Sequence, residues 1–370
     1  MQRKKILIIC PFPVGVAAGQ RLKYEQYFSS WNENGIDVTV SNFMDQRLWE
    51  IVYRKGFFFQ KVFRTLKGYC IRLLDLFRLH KFDAIYIFMW VTPFGSNIPE
   101  KLFKKFSKKL IFDVEDSVLT SQNIDLSNNP NPLLAFFKNS KKADFLIREA
   151  NFIITSSPFL NEYCIQKNKF KNSQYISSSV DARRFVPTNN YSNDEIVTIG
   201  WTGTFSSRSY LDSLAEVFQT LALRVEFKLR VIGNFEYKLP GVNLEVIQWS
   251  SENEVKDLQG IDIGIYPLQM DEWVMGKSGL KAIQYMAFGL PVVATNVGTT
   301  PLIITHNETG ILVDSKEDWV NALELLILDP KLRRKIGTNA RSHLVKNYST
   351  DAVQSHYNNV LTQVLGAKND

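Results

Sequence analysis

Short apolar runs rich in β-branched residues alternate with longer amphipathic stretches along almost the whole chain, and this alternation leaves few folds open. A strand buried on both faces reads as a continuous apolar run, and joining it to a parallel neighbour takes a crossover of a dozen residues or more, usually a helix. The pattern therefore predicts βα units around parallel sheets. Strands are expected at 5–10, 37–40, 84–88, 110–114, 152–156 and 175–178, and again at 197–201, 228–232, 244–247, 261–266, 291–294 and 310–313. At 370 residues the chain exceeds what one core usually supports, so the expected class is α/β with two doubly wound, Rossmann-like domains. A polar, Pro-initiated stretch from Val186 to Asp194 reads as the linker. The division expected is 1–186, a linker at 187–194, a second domain at 195–348, and a C-terminal helix at 349–370 packing back toward the first domain. Helices are predicted at 332–340 and 349–364, the second opened by Ser349 or Thr350 as N-cap. Open parallel sheets bind ligands at the carboxyl ends of their strands, and two of them joined by a linker are expected to face a common cleft.

The balance of 45% hydrophobic and 22% charged residues is that of a globular protein. Cys10, Cys70 and Cys164 lie far apart and form neither a disulfide framework nor a zinc pattern, which fits a reducing compartment. The apolar run at 6–10 is too short for a signal-peptide core, and nowhere do about 18 apolar residues run without a charge. A cytoplasmic protein is expected. Charge is uneven: residues 1–190 hold 28 Lys and Arg against 16 Asp and Glu, a surplus of 12, whereas the remainder holds 16 against 21. A basic half of this kind faces an anionic partner.

The segment from Met275 to Thr295 carries the most chemistry. It reads as a Gly-containing turn, a helix with Leu280, Ile283, Met286 and Ala287 at helical spacing, a stop at Gly289 and a buried strand. A loop entering a helix N-terminus offers free N–H groups and a positive dipole end to a phosphate. Lys277 and Lys281 are four apart, so on a helix they share a face and reach one diphosphate; solvated helix-face lysines are the bland alternative.

The run Gln284-Tyr-Met-Ala-Phe-Gly-Leu-Pro-Val-Val-Ala294 resembles the donor-binding region of the family-four retaining glycosyltransferases. The Pro11–Arg21 loop after the first strand, Ile199-Gly-Trp-Thr-Gly203, and Leu328-Asp-Pro with Arg333, Gly337, Ala340 and Arg341 are similar to three further parts of that family. The resemblance implies the GT-B fold, transfer of a sugar from a nucleotide diphosphate with retention, and no cofactor beyond the nucleotide sugar as co-substrate. It implies donor contacts from Gly15, Gly19, Gly203, Thr204, Ser206 and Gln284, and a base lying near Trp249, within 248–252. The Gly15–Gly19 loop is not a GxGxxG, so a plain strand-to-helix turn stays open. Two departures stand out. The family's two glutamates, eight apart, fall here on Gly276 and Gln284, which leaves the sugar contact to Lys277, Asp271 or Glu272. The family's basic pair after the second-domain loop is replaced by Gly203-Thr-Phe-Ser-Ser-Arg208, where Arg208 joins Thr204, Ser206 and Ser207 as diphosphate donors.

Asp113, Glu115 and Asp116 close a strand. Three roles are open to them: metal ligands, acceptor-side carboxylates that orient a hydroxyl, or a helix N-cap cluster. The expectation is no metal, because basic side chains and helix dipoles neutralise the leaving diphosphate in the family resembled. The four histidines show no ligand spacing. Residues 54–81 hold eight Lys and Arg and one acid, Asp75, between many Phe and Leu, and 101–109 repeats the composition. Basic amphipathic helices lie on anionic membranes, so Arg64, Lys67, Arg72 and Arg78 are expected to contact lipid; a core helix with a solvated outer face is the alternative. No nucleic-acid-binding module is recognisable.

These features predict a glycosyltransferase with Lys281, Lys277 and Arg208 stabilising the departing diphosphate, acting on a lipid-linked glycan in surface polysaccharide synthesis at the inner face of the cell membrane. A nucleotide-sugar epimerase and a non-catalytic partner subunit are the competing readings.

Overall fold

The computed structural model describes residues 3–115, 141–187 and 196–366, the Glu272 side chain excepted. The chain divides into two compact units, one formed by Met1–Ser177, Met275–Ser278 and Val353–Asp370, the other by Ser178–Val274 and Gly279–Ala352. Each is built on a six-stranded sheet in which every pairing is parallel.

The first sheet runs β2 (Ile36–Asn42), β1 (Lys4–Cys10), β3 (Ala84–Phe88), β4 (Leu110–Val114), β5 (Phe152–Thr155) and β6 (Ser173–Tyr175). The second runs β12 (Ile311–Val313), β11 (Val292–Thr295), β10 (Ile263–Tyr266), β7 (Thr198–Gly203), β8 (Lys228–Gly233) and β9 (Leu244–Gln248). All twelve expected strands form. β3 and β4 are buried at every position, as their uninterrupted apolar runs require. Only β6 is displaced toward the N-terminus, sharing just Tyr175 with the run expected there.

Helices of seven residues or more, among those described, are α1 (Gln46–Val52), α2 (Phe58–Arg78), α3 (Ile98–Phe106), α4 (Lys141–Glu149) and α5 (Pro158–Lys167), followed by α6 (Ala215–Ala222), α7 (Leu280–Ala287), α8 (Lys316–Leu328), α9 (Pro330–Asn347) and α10 (Thr350–Leu365). Ser349 caps α10, its hydroxyl accepting the Ala352 N–H at 3.2 Å. Val353, Tyr357, Val360, Leu361 and Val364 then form one apolar stripe that packs into the core of the first sheet, with Tyr357 4.8 Å from Tyr27 and 6.0 Å from Trp31 between ring centroids.

The division falls at Ser177 rather than at residue 186. Phe185 is buried against Phe288, and Arg341 donates to the carbonyls of Ala182 and Phe185 at 2.6 and 2.7 Å, which fastens this stretch to the second unit. Residues 188–194 of the expected linker lie outside the described residues.

α2 has the reverse of the usual polarity. Its inward face carries Gly68, Arg72 and Asp75, all buried. A Cβ on Gly68 would come within 2.7 Å of the Phe43 carbonyl oxygen, so the helix packs there through bare backbone. Arg72 donates to the carbonyls of Cys10 and Val91 at 2.8 Å each, to Ser41 Oγ at 2.9 Å and to Asp75 at 3.1 Å. The expectation that Arg72 meets lipid is therefore corrected: it is an internal strut joining α2 to β1, β2 and the loop after β3. Arg64 and Lys67 hold Asp45, the N-cap of α1, at 2.6 and 3.1 Å, and Arg78 holds Asp75 at 2.6 Å.

Truncating one member of a buried ion pair leaves an uncompensated charge, whereas exposed pairs contribute little. Arg72→Leu is expected to cost about 3 kcal/mol in urea unfolding and Lys67→Leu less than about 1 kcal/mol. Equal losses would mean that Arg72 does not act as the strut described.

Candidate functional site

In an open parallel sheet the ligand crevice lies at the carboxyl edge where strand order reverses. In the second unit the reversal is between β7 and β10, which are neighbours although β8 and β9 intervene in sequence. β7 ends at Gly203, where a Cβ would come within 2.4 Å of the Trp201 ring and 2.6 Å of Ser207 Oγ. Only glycine lets the following turn fold back this closely. That turn presents hydroxyls: Ser207 Oγ donates to the Thr204 carbonyl at 3.1 Å, and Thr204 Oγ1 lies 2.8 Å from Ser206 Oγ.

From the β10 side comes α7, capped by Gly279 in the left-handed region (φ +73°), where a Cβ would also meet Ile303 at 2.2 Å. One residue into the helix, Lys281 lays its ammonium 4.7 Å above the Trp201 ring and 6.0 Å from Tyr266, with Nζ 3.3 Å from Ser207 Oγ. The two aromatic faces hold a cation in place without neutralising it. Tyr285 braces the same corner by accepting the Thr202 N–H at 2.8 Å, and burial pushes its phenol well above the ordinary range, so it stays neutral. Arg208 stacks on Phe235 and Tyr237 at 5.8 and 5.5 Å and reaches Asp212 at 3.3 Å. The expected residues Gly203, Thr204, Ser206 and Arg208 thus follow β7, Lys281 reaches them from α7, and together they make a cationic and hydroxylic surface suited to an anion.

The other expected residues are placed differently. Lys277 lies half-buried ahead of α7, in the stretch that groups with the first unit, so the shared helix face with Lys281 is corrected: Gly279 starts the helix too late. Gln284 is buried and donates to Glu254 at 3.4 Å. Trp249 follows β9 on the same sheet edge as Gly203, with β8 between. Asp271 accepts the Val274 N–H at 2.7 Å as a turn cap.

In the first unit, the Gly15 N–H donates to Glu25 at 2.8 Å, and Gln20 bridges Glu25 and the backbone of Phe12. Gly19 lies against the Glu115 carboxylate, 2.6 Å from where a Cβ would stand. Both glycines therefore lie on a loop that closes around acids. Asp113 is fully buried, ion-paired with Lys23 and accepting from the Tyr86 hydroxyl. Burial pushes its carboxyl above the ordinary range while Lys23 and Tyr86 pull it back. Asp113 is thus a core residue and neither an acceptor-side nor a metal-facing carboxylate. Asp116 lies outside the described residues. Sequence reasoning missed the Trp201–Tyr266 platform beneath Lys281, although Trp201 sits inside a quoted motif, and missed Glu254, which no spacing links to Gln284.

Residues 185–343 match the family described as Glycosyl transferases group 1. The matched stretch lies almost wholly within the second unit. Among curated relatives, this chain is similar to a D-inositol 3-phosphate glycosyltransferase of Corynebacterium jeikeium, 43% identical over 70 residues. That stretch is 18% of this chain and spans only 17% of the relative's length. Among solved structures, sucrose-phosphate synthase from Thermosynechococcus elongatus superposes over 98% of this chain and 99% of its own, with a TM-score of 0.69 at 16% identity. Anabaena HepE, in complex with UDP-glucose, does so over 97% and 99%, with a TM-score of 0.65 at 13% identity. These likenesses show the GT-B fold over 97–98% of the chain, as the family resemblance implied.

Because Asp113 is a buried partner of Lys23, Asp113→Asn is expected to strand that ammonium and cost about 3 kcal/mol or more in thermal or urea unfolding. Glu115→Gln, half-buried at a loop, should cost less than about 1 kcal/mol. An Asp113→Asn chain as stable as wild type would show that the pair is not a core element.

Proposed function

We propose that the chain transfers a sugar from a nucleoside diphosphate donor to a hydroxyl of a lipid-linked glycan, with retention at the anomeric carbon, at the inner face of the cell membrane in surface polysaccharide synthesis. The observation that carries the reading is Lys281 held over Trp201 and beside Ser207 at the reversal point of the second sheet. As the anomeric C–O bond breaks, its electrons pass to the diphosphate oxygen, and the acceptor oxygen forms the new bond from the same face as its proton passes to that departing oxygen. The negative charge that builds on the leaving group is what fixed cations and hydroxyl donors stabilise. Lys281 and Arg208, with Ser206, Ser207 and Thr204, take that role, and the N-terminus of α7 adds the positive end of its dipole. The UDP-glucose in HepE supports a nucleotide-sugar donor of this class.

The reading needs no divalent cation, since basic groups neutralise the diphosphate and the two oxygens of Asp113 are engaged by Lys23 and Tyr86. Transfer is therefore expected to persist in EDTA; its abolition with rescue by manganese would assign the neutralising charge to a metal. Lys281→Ala is expected to lower turnover by about 10²-fold while leaving the unfolding midpoint in place, as for the loss of one donor aimed at a developing anion. Near-normal turnover would remove Lys281 from the reaction. Calorimetry with a panel of nucleoside diphosphates, followed by assay of sugar release, tests the reading as a whole: nucleotide binding without turnover on any acceptor indicates a partner subunit, and interconversion of the donor sugar indicates an epimerase.

A further inference from the structure

α2 keeps its charges inside and its apolar residues outside. Phe59, Phe63, Leu66, Leu73, Leu74 and Phe77 are each between 56% and 85% exposed. Their positions recur at helical spacing and fall on one face, opposite Gly68, Arg72 and Asp75. Twenty-one residues make this stripe about 30 Å long. An apolar patch of this length is unusual on a chain that stays dispersed in water, and it marks a contact with another phase or molecule.

The charge around the stripe identifies the contact. Of the eight cations in 54–81, only Arg72 is buried, and the one acid, Asp75, is buried with it. The stripe is therefore edged by cations, Lys67 and Arg78 lying just off it along one side. α3 carries the same pairing of exposed Phe106 and Ile98 with Lys101 and Lys105, and the Tyr69 hydroxyl ties α2 to the loop leading into α3 at 3.1 Å. A second copy laid against the stripe would bring these like charges together, whereas a bilayer offers acyl chains beneath an anionic headgroup layer.

We propose that α2 lies in the plane of an anionic bilayer with its apolar stripe sunk into the headgroup boundary and its basic edge on the phosphates. Apolar burial holds it there and charge supplies the lipid preference. The Arg72–Asp75 strut fixes the helix to the first sheet with that face outward, so the surface is presented ready-made. The inference rests on the reading of a membrane-held acceptor, but its test needs neither donor nor acceptor, so it can fail while sugar transfer stands.

Cys70 lies on the stripe and is exposed, while Cys10 and Cys164 are buried, so a thiol-reactive, environment-sensitive fluorophore on the full-length chain reports from this face. With mixed phosphatidylglycerol and phosphatidylcholine vesicles, the emission is expected to shift to the blue, and the unlabelled chain should pellet about tenfold more tightly than on phosphatidylcholine alone. Phe59→Ser, Phe63→Ser and Leu74→Ser together should abolish pelleting with an unchanged unfolding midpoint, since these side chains face outward. Lys67→Gln with Arg78→Gln should weaken binding to the mixed vesicles and leave that to neutral ones unaltered. Unshifted Cys70 emission on anionic vesicles, equal pelleting on neutral ones, or a solution dimer that the triple Ser variant dissociates would each overturn the proposal.

Discussion

Parallel pairing is the constraint from which the rest of the architecture follows. Every pairing in the two sheets is parallel, so each crossover must return through a connecting element, both faces must be covered, and all the carboxyl ends of a sheet lie on one edge. Lys281 and Ser207 are 74 residues apart in sequence and meet only because β7 and β10 are neighbours at the reversal of strand order. The two sheets use the corresponding edge differently. In the second, the turns leave hydroxyls and cations at the surface; in the first, Lys23, Asp113 and Tyr86 satisfy one another in the core, and Glu25 closes the loop after β1. The same topology thus yields a surface of cations and hydroxyls on one sheet and an internally neutralised edge on the other.

Three buried cations, Lys23, Arg72 and Lys142, organise the first unit, and each faces a buried acid, Asp113, Asp75 and Glu100. Such pairs add little net stability against an apolar replacement, yet they fix which elements adjoin, because a slipped register would strand a charge. Lys142 shows this directly, donating to the carbonyls of Thr92 and Phe94 and to the Thr92 hydroxyl at 2.8 Å and so joining α4 to the loop after β3. Being neutral as pairs, they leave the surplus of 12 positive charges in residues 1–190 outside the core.

The strands were legible because a run buried on both faces writes itself into the sequence as continuous apolar residues, and the α10 cap because Ser349 acts on its own neighbours. What could not be seen depends on partners distant in the chain. Periodicity showed that α2 is amphipathic, but a moment has the same size whichever face meets the core; the inversion is set by Phe43, Cys10, Ser41 and Val91, none of them nearby in sequence. The domain division shifted for the same reason, since Arg341 reaches back to Ala182 and Phe185. The Lys277–Lys281 spacing misled because it presumes a helix already begun, and Gly279 begins it between them.

The departures at Gly276 and Gln284 alter the electrostatics of the donor motif in a definite direction. Two acids expected from the family resemblance are replaced by groups without charge, so the field around Lys281 and Arg208 is less opposed and better suited to a polyanion. One carboxylate is nevertheless supplied from elsewhere: Glu254 accepts from Gln284 within the core and lies 3.8 Å from Arg184. Only 3% exposed, Glu254 is covered by the core and fixes the direction of the Gln284 amide. Residue 284 thereby keeps a defined hydrogen-bonding direction without carrying a charge of its own, and the cations of this unit, Lys281 and Arg208, are held by other contacts.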